Sequence, residues 1–403
     1  MRFSLATASL AVSVALLAGC SASQGTQSLP SSSLGAQSLG AIGHPDMRNF
    51  HHITPMQLLK MQAEGKIGGP LPRAVLREQF KELKGQSRPH LAAGRAIAAG
   101  VWSSNTDFGY LVGSAKKGKK AVASINVENN ECEDPITVKV DAAQNIWTAC
   151  EINFDDATEQ QEYSSNGTLE GTYATGCPVG TSPSTCEWYF SEGFDGGKDA
   201  SGNVFSAMEF FEADICPSSE TCEFLEGTGI EYANSPSAQP TLLTPPPSSG
   251  IDDIYYMDVD NSDNIWFDYY SCVSVCGYAL GEVQNATTSP VWVTNIASLG
   301  FAGGVYVGNG GSTLSVIDQD ARTISRYSLP GLGALSALGP TKMNLLGQGD
   351  PVAGGYNSTD TMMAIGDDYG WLDIGNVAAN TWKATKNTSL GNPEGAAFTP
   401  SDK

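Results

Sequence analysis

Beyond about residue 100, apolar and polar positions alternate with a period of two, in short runs bounded by Gly, Asn, Asp and Ser. That spacing predicts strands joined by tight turns. In Ile265-Trp266-Phe267-Asp268-Tyr269-Tyr270, one face receives Ile265, Phe267 and Tyr269, and the other receives Trp266, Asp268 and Tyr270. Both faces carry bulk, so both need cover. Met208-Glu209-Phe210-Phe211 and Trp188-Tyr189-Phe190 read the same way. A strand of a two-sheet sandwich shows one polar face, whereas a blade stacked between two neighbours is covered on both sides, so the pattern predicts propeller blades.

One of these strands opens from a frame that recurs. Asp260-Asn261-Ser262-Asp263-Asn264-Ile265-Trp266 is matched by Asp141-Ala142-Ala143-Gln144-Asn145-Ile146-Trp147 and by Asp199-Ala200-Ser201-Gly202-Asn203-Val204-Phe205. An Asp carboxylate can accept hydrogen bonds from the amides just beyond it, and Asn tolerates a left-handed backbone. Asp141, Asp199 and Asp260 are therefore expected to be turn residues. The residues that break the frame, Asp252, Asp253 and Asp263, have the better claim to function.

The three frames resemble six-bladed propellers of NHL-type repeats, the group that includes gluconolactonase-like and virginiamycin-B-lyase-like proteins. Gly370-Trp371-Leu372 after Asp367-Asp368 looks like a degenerate fourth copy. The resemblance implies an all-β, six-bladed β-propeller over 96–403, with blades near 100–130, 136–176, 187–245, 251–296, 299–340 and 343–390. Matches recur at 58 and 61 residues, longer than the roughly 40–50 usual for a blade. Cys-containing insertions near 177–186 and 216–222 take up the excess. The tail Asn392–Ser401 looks like the opening strand of a blade, expected to close the ring beside Gly109-Tyr110-Leu111-Val112.

Charge divides the chain. Residues 1–95 carry ten Lys/Arg against four Asp/Glu, so a net charge of -21 leaves about -27 on the remainder. Within 121–270, Lys139 and Lys198 face 28 acids. Such a body repels nucleic acid. It is open to cationic partners or divalent metal, or simply gives a solvated acidic surface that keeps the protein soluble.

The N-terminus reads as a targeting segment. Met1-Arg2 precedes an apolar run from Leu5 to Leu17 that is too short for a stable span. It ends in Leu17-Ala18-Gly19-Cys20, which looks like a bacterial lipobox. The resemblance implies a signal peptide over 1–19, cleavage before Cys20 and acylation of that residue, which anchors the chain in the cell envelope. Ser21 stands where lipoproteins retained in the inner membrane often carry Asp, which points to the outer membrane. Residues 20–50 read as a flexible linker poor in bulky side chains. Residues 51–95 read as a basic amphipathic helical segment, with starts at Thr54-Pro55 and Pro72. All four His residues lie in the first 95 positions, His51-His52 among them, without Cys or a third ligand in register.

Setting Cys20 aside, eight Cys remain, an even number that reads as disulfides in an exported chain. They fall into local couples: Cys132 with Cys150, Cys177 with Cys186, Cys216 with Cys222, and Cys272 with Cys276. The last lacks the two-residue spacing of a redox or zinc pair.

No nucleophile motif or phosphate-cradling Gly loop stands out, and no His lies beyond His90 to act as general base. Gluconolactonase-like enzymes hold a divalent metal with Glu, Asn and Asp. Asp252, Asp253 and Asp263 are the candidate ligands here, in a cluster of acids dense enough to attract Ca²⁺, although no cofactor is predicted. The expected function is a monomeric, lipid-anchored, non-catalytic module that offers an acidic face to an envelope protein, peptide or glycan. The alternative is a metal-dependent, lactonase-like hydrolase acting at the channel. For the anchor, Cys20→Ala is expected to release the protein from the membrane fraction, and membrane retention of a processed Cys20→Ala protein would refute the lipobox.

Overall fold

The computed structural model describes residues from Gly100 to Thr399 apart from short breaks, the longest at 152–158, 174–185, 330–335 and 387–392. Cys20, the expected helical segment and the four His fall outside the described residues. The chain divides into Met1–Gln86 and Ser87–Lys403, and the account below concerns the second unit. Among the described residues no helix is long and apolar enough to cross a membrane.

The strands form six antiparallel sheets, which are the blades of a six-bladed β-propeller. The first blade contains β1 (Val101–Asn105), β2 (Tyr110–Ala115) and β3 (Lys120–Asn126). The second is β4 (Asp134–Val140), β5 (Ile146–Glu151), β6 (Glu159–Tyr163) and β7 (Leu169–Tyr173). The third holds β8 (Cys186–Glu192), β9 (Gly196–Lys198), β10 (Val204–Ser218), β11 (Thr221–Ala233) and β12 (Thr241–Leu243). The fourth is β13 (Asp253–Val259), β14 (Ile265–Ser271), β15 (Gly277–Gln284) and β16 (Val291–Leu299). The fifth is β17 (Ala302–Val307), β18 (Thr313–Asp318), β19 (Thr323–Ser328) and β20 (Ser336–Asn344). The sixth is β21 (Pro351–Tyr356), β22 (Met362–Asp367), β23 (Trp371–Asn376) and β24 (Thr381–Lys386), and β25 (Ala396–Phe398) returns to the first blade.

Two-sided bulk is used as the alternation predicts. Ile265, Phe267 and Tyr269 pack with Phe205 and Ile230 of the third blade. Trp266, on the opposite face of β14, packs with Val305, Leu314 and Val316 of the fifth. The extra length of the third repeat goes into β10 and β11, a hairpin of 15- and 13-residue strands. Its base pairs with β9 and its outer half with β8.

Ring closure differs from the expected neighbour. β25 pairs with β1, in register Val101 to Phe398 and Ser103 to Ala396, while the strand from Tyr110 pairs with the other edge of β1. β25 is thus the innermost strand of a blade whose outer three strands come from the start of the domain. The Ser-rich β1 is suited to this buried position. Ser104 Oγ donates to Ile136 O at 3.0 Å and accepts from Gly395 N at 2.7 Å. A Cβ on Gly395 would lie 2.7 Å from Thr137 Cα, so only glycine lets the tail pass that close to β4.

The innermost strands share a defect. Pairing slips between Pro135 and Val138 in β4, Ile254 and Met257 in β13, Ala302 and Val305 in β17, and Pro351 and Gly354 in β21. Each is a bulge that frees backbone groups in the interior.

Deleting residues 395–403 is expected to abolish the cooperative thermal transition seen by circular dichroism, because it strips buried Phe398 from the core and opens the ring; Phe→Ala alone typically costs about 3–5 kcal/mol. An unchanged melting curve would refute this closure.

Candidate functional site

The loop from the innermost strand to the next one shows why the Asp-x-x-x-Asn frame recurs. Asp199 Oδ1 accepts from Ser201 N and Asn203 N, each at 2.8 Å, and Oδ2 accepts from Asn203 Nδ2 at 2.6 Å. Asp260 repeats this with Ser262 N at 2.8 Å, Asn264 N at 3.1 Å and Trp266 Nε1 at 3.3 Å. Asp141 does so with Asn145 N at 2.9 Å and Trp147 Nε1 at 3.3 Å. The left-handed residue is the one before the Asn: Gln144, Gly202 or Asp263. In the sixth blade the equivalent turn is Asn357 to Thr361, closed by Asn357 Oδ1 and with Asp360 left-handed. The expected degenerate copy at 367–372 instead falls between β22 and β23, because Asp367 ends one strand and Trp371 begins the next.

These turns ring one end of the axial channel. There a cavity of about 490 Å³ is lined by residues of all six innermost strands, including Lys139, Lys198, Asp258, Tyr306, Gly355 and Ala397. At its wall the Lys139 ammonium donates to Met257 O at 2.8 Å and Asp258 Oδ1 at 3.1 Å, and lies 3.3 Å from Asp195 Oδ1. Burial pulls its pKa down, but the two carboxylates outweigh burial and hold it above its ordinary value. Removing one partner of such a set leaves a buried charge uncompensated.

The carboxylates also bind backbone amides of the innermost strands, at the bulges and beyond them. Asp268 Oδ1 accepts from Tyr256 N at 2.8 Å, and Oδ2 from Gly304 N at 3.1 Å in the next blade. Asp195 Oδ2 accepts from Met257 N at 3.3 Å and Asp258 Oδ2 from Val307 N at 2.8 Å, again across blade boundaries. Burial pushes the Asp268 carboxyl up to about 7. It pushes Asp195 up to about 6, against the opposing pull of Lys139. Tyr306 is buried on the same wall, and burial drives its hydroxyl well above the usual value, with Asp195 adding to the shift. That hydroxyl meets no partner at hydrogen-bond geometry, although the Gly354 amide is near enough to temper the shift.

Closer to the opening, the Lys198 ammonium lies 4.7 Å over the Trp147 ring. It is 3.9 Å from both Asp141 Oδ2 and Glu162 Oε1.

The residues singled out as metal candidates are not brought together. Asp252 and Asp253 lie at the start of β13, where Asp252 Oδ2 accepts from Cys272 N at 2.6 Å. Asp263 sits in the turn at the other end of that strand, with Oδ2 accepting from Thr287 N at 3.0 Å. Among the described residues no three His, Cys, Asp or Glu side chains are grouped to hold a metal. Two expected disulfides are present, Cys132–Cys150 and Cys272–Cys276. Cys177 and the side chains of Cys186, Cys216 and Cys222 lie outside the described residues.

Lys139, Lys198 and Tyr306, which line the cavity, and Glu162, Asp195 and Asp268 behind its wall were not among the candidates. One signal could have found two of them, since Lys139 and Lys198 are the only cations in an otherwise acidic 121–270, and both line this cavity.

Neither a known family model nor a curated protein sequence matches the chain. Solved structures do. A chain from a nidogen/laminin complex aligns over 75% of this chain and 99% of its own, at 11% identity and a TM-score of 0.50. The likeness is one of fold. A protein of unknown function from Desulfotomaculum acetoxidans covers 74% of this chain and 98% of its own, at 11% identity and a TM-score of 0.44. A gluconolactonase from Xanthomonas campestris covers 75% and 89%, at 11% identity and a TM-score of 0.42.

The raised carboxyls make stability depend on pH. The folded state holds the Asp195 and Asp268 protons more tightly than an unfolded chain with pKa near 3.8. Their contribution is fully present below about pH 4 and is lost as pH rises through about 6 and 7. The melting temperature of the wild type relative to Asp268→Asn is therefore expected to fall between pH 5 and pH 8, measured by calorimetry; a constant difference would refute the assignment.

Proposed function

We propose that this chain is a non-catalytic binding module of a bacterial cell envelope, anchored through lipidated Cys20 and presenting the acidic rim of its channel to a protein, peptide or glycan. The observation that carries this reading is how the polar groups of the channel are engaged. Lys139 is held by Met257 O, Asp258 and Asp195. Asp141 and Asp199 are capped by their own turns. General acid–base catalysis needs a group within reach of substrate with a proton to give or take, and these groups are committed to bonds within the fold. A net charge near -27 beyond residue 95 supports recognition of a cationic or polar surface. The alternative, a lactonase-like hydrolase, needs a divalent ion at the channel, and Asp252, Asp253 and Asp263 are split between the two ends of β13.

Calorimetric titration of the full chain with Ca²⁺ and with Zn²⁺, alongside melting curves with and without EDTA, separates the two readings. No binding and an unchanged melting temperature are expected. A tight one-to-one ion whose removal lowers the melting temperature would replace the binding module with the hydrolase.

A further inference from the structure

The mouth of the channel contains a seat built for a cation. Its floor is the Trp147 ring, and Asp141 and Glu162 are its walls. An aromatic face flanked by carboxylates is a recognised environment for an ammonium group. Contacts that do not involve Lys198 hold the seat in shape. Asn145 Nδ2 donates to Glu162 Oε1 at 2.7 Å, the Tyr173 hydroxyl donates to Glu162 Oε2 at 3.0 Å, and Trp147 and Tyr173 rings meet at 5.3 Å.

Lys198 now occupies the seat, and it does so loosely. Both ion contacts are at 3.9 Å, beyond hydrogen-bond distance, and the side chain is 35% exposed. Lys139, also set between two carboxylates, lies 3.1 and 3.3 Å from them. Exposed pairs of the Lys198 kind contribute little stability. The seat opens on the cavity of about 490 Å³, whose walls of Gly196, Gly197, Gly354, Gly355 and Ala397 leave room for the body of a ligand. On the same cavity lies Tyr306, 2% exposed, with its hydroxyl unpartnered. A buried donor without an acceptor is a cost that an incoming polar group can relieve. The acidic body draws cations toward this opening.

We propose that the Trp147–Asp141–Glu162 seat binds the alkylammonium group of an incoming ligand, which displaces Lys198 and extends into the axial cavity. The inference rests on the channel being a binding site and names the chemistry that it recognises. Lys198 acts as an internal stand-in for the ligand, so its removal strengthens binding instead of weakening it. A purely structural lysine would not do that.

Calorimetric titration of the full chain with 1,5-diaminopentane at low salt tests the inference, with 1-pentanol as the uncharged control. One-to-one binding is expected for the wild type, with affinity about five- to tenfold higher in Lys198→Ala and in Lys198→Gln. Binding is expected to be lost when Glu162→Gln is added to either variant. Nα-acetyl-lysine amide, titrated in parallel, separates a free amine from a lysine side chain as the source of the group; binding of either supports the seat. Equal or weaker affinity in both Lys198 variants, with melting temperatures showing that they fold, would overturn it. So would equal binding of 1-pentanol. Those failures leave the binding-module reading standing, whereas a metal site found by titration would remove that reading without changing the amine result.

Discussion

Backbone groups freed inside the ring are the constraint on which the rest of this structure depends. Four innermost strands slip register at a bulge, and the amides this releases lie where water does not reach. A buried amide without an acceptor costs on the order of 1–3 kcal/mol, so each must find one. The chain meets the need with side chains of the same blade and of the adjoining one. At the bulges Asp195 reaches Met257, Asp268 reaches Tyr256 in its own blade and Gly304 in the next, and Ser104 donates to Ile136 O; away from the bulges Asp258 reaches Val307 and Ser104 also serves Gly395. Four of these bonds, Asp195 to Met257, Asp268 to Gly304, Asp258 to Val307 and Ser104 to Ile136, join neighbouring blades, so the side chains that serve the inner strands also attach one blade to the next.

Using carboxylates for this purpose has an electrostatic consequence. Three of them converge near the axis in a body that is already acidic, and burial raises Asp195 and Asp268 toward neutrality. Lys139 supplies the opposite charge where Asp195 and Asp258 meet. The centre of the channel is therefore occupied by structural work, and the polar groups at the opening are less tightly bound into the fold. Lys198 illustrates the difference. It faces a ring and two carboxylates as an isolated cation would, without the short bonds that tie Lys139 into the fold.

Much of the fold was legible because its signals are local. Two-sided bulk in 265–270 required cover on both faces, and blades on either side supply it. The Asp-x-x-x-Asn frame encodes a turn whose hydrogen bonds all fall within seven residues, so Asp141, Asp199 and Asp260 could be assigned from spacing alone. The nearby couples Cys132–Cys150 and Cys272–Cys276 were legible for the same reason. The site was not. Lys139 and Asp258 are 119 positions apart, and no periodicity relates them.

What the sequence by itself determined is the repeat unit, its turn chemistry and its charge asymmetry, since each depends on neighbours along the chain; the count of six blades was implied by the resemblance to NHL-type propellers. Only the tertiary structure decided that β25 seats against β1, that bulges open the inner strands, and that Lys139 and Lys198 share one cavity. Closing the ring brings the innermost strand of every blade to a common axis. The axial contacts therefore join residues from different repeats, and bonds such as Asp195 to Met257 and Asp268 to Gly304 can be met only once that neighbour is in place.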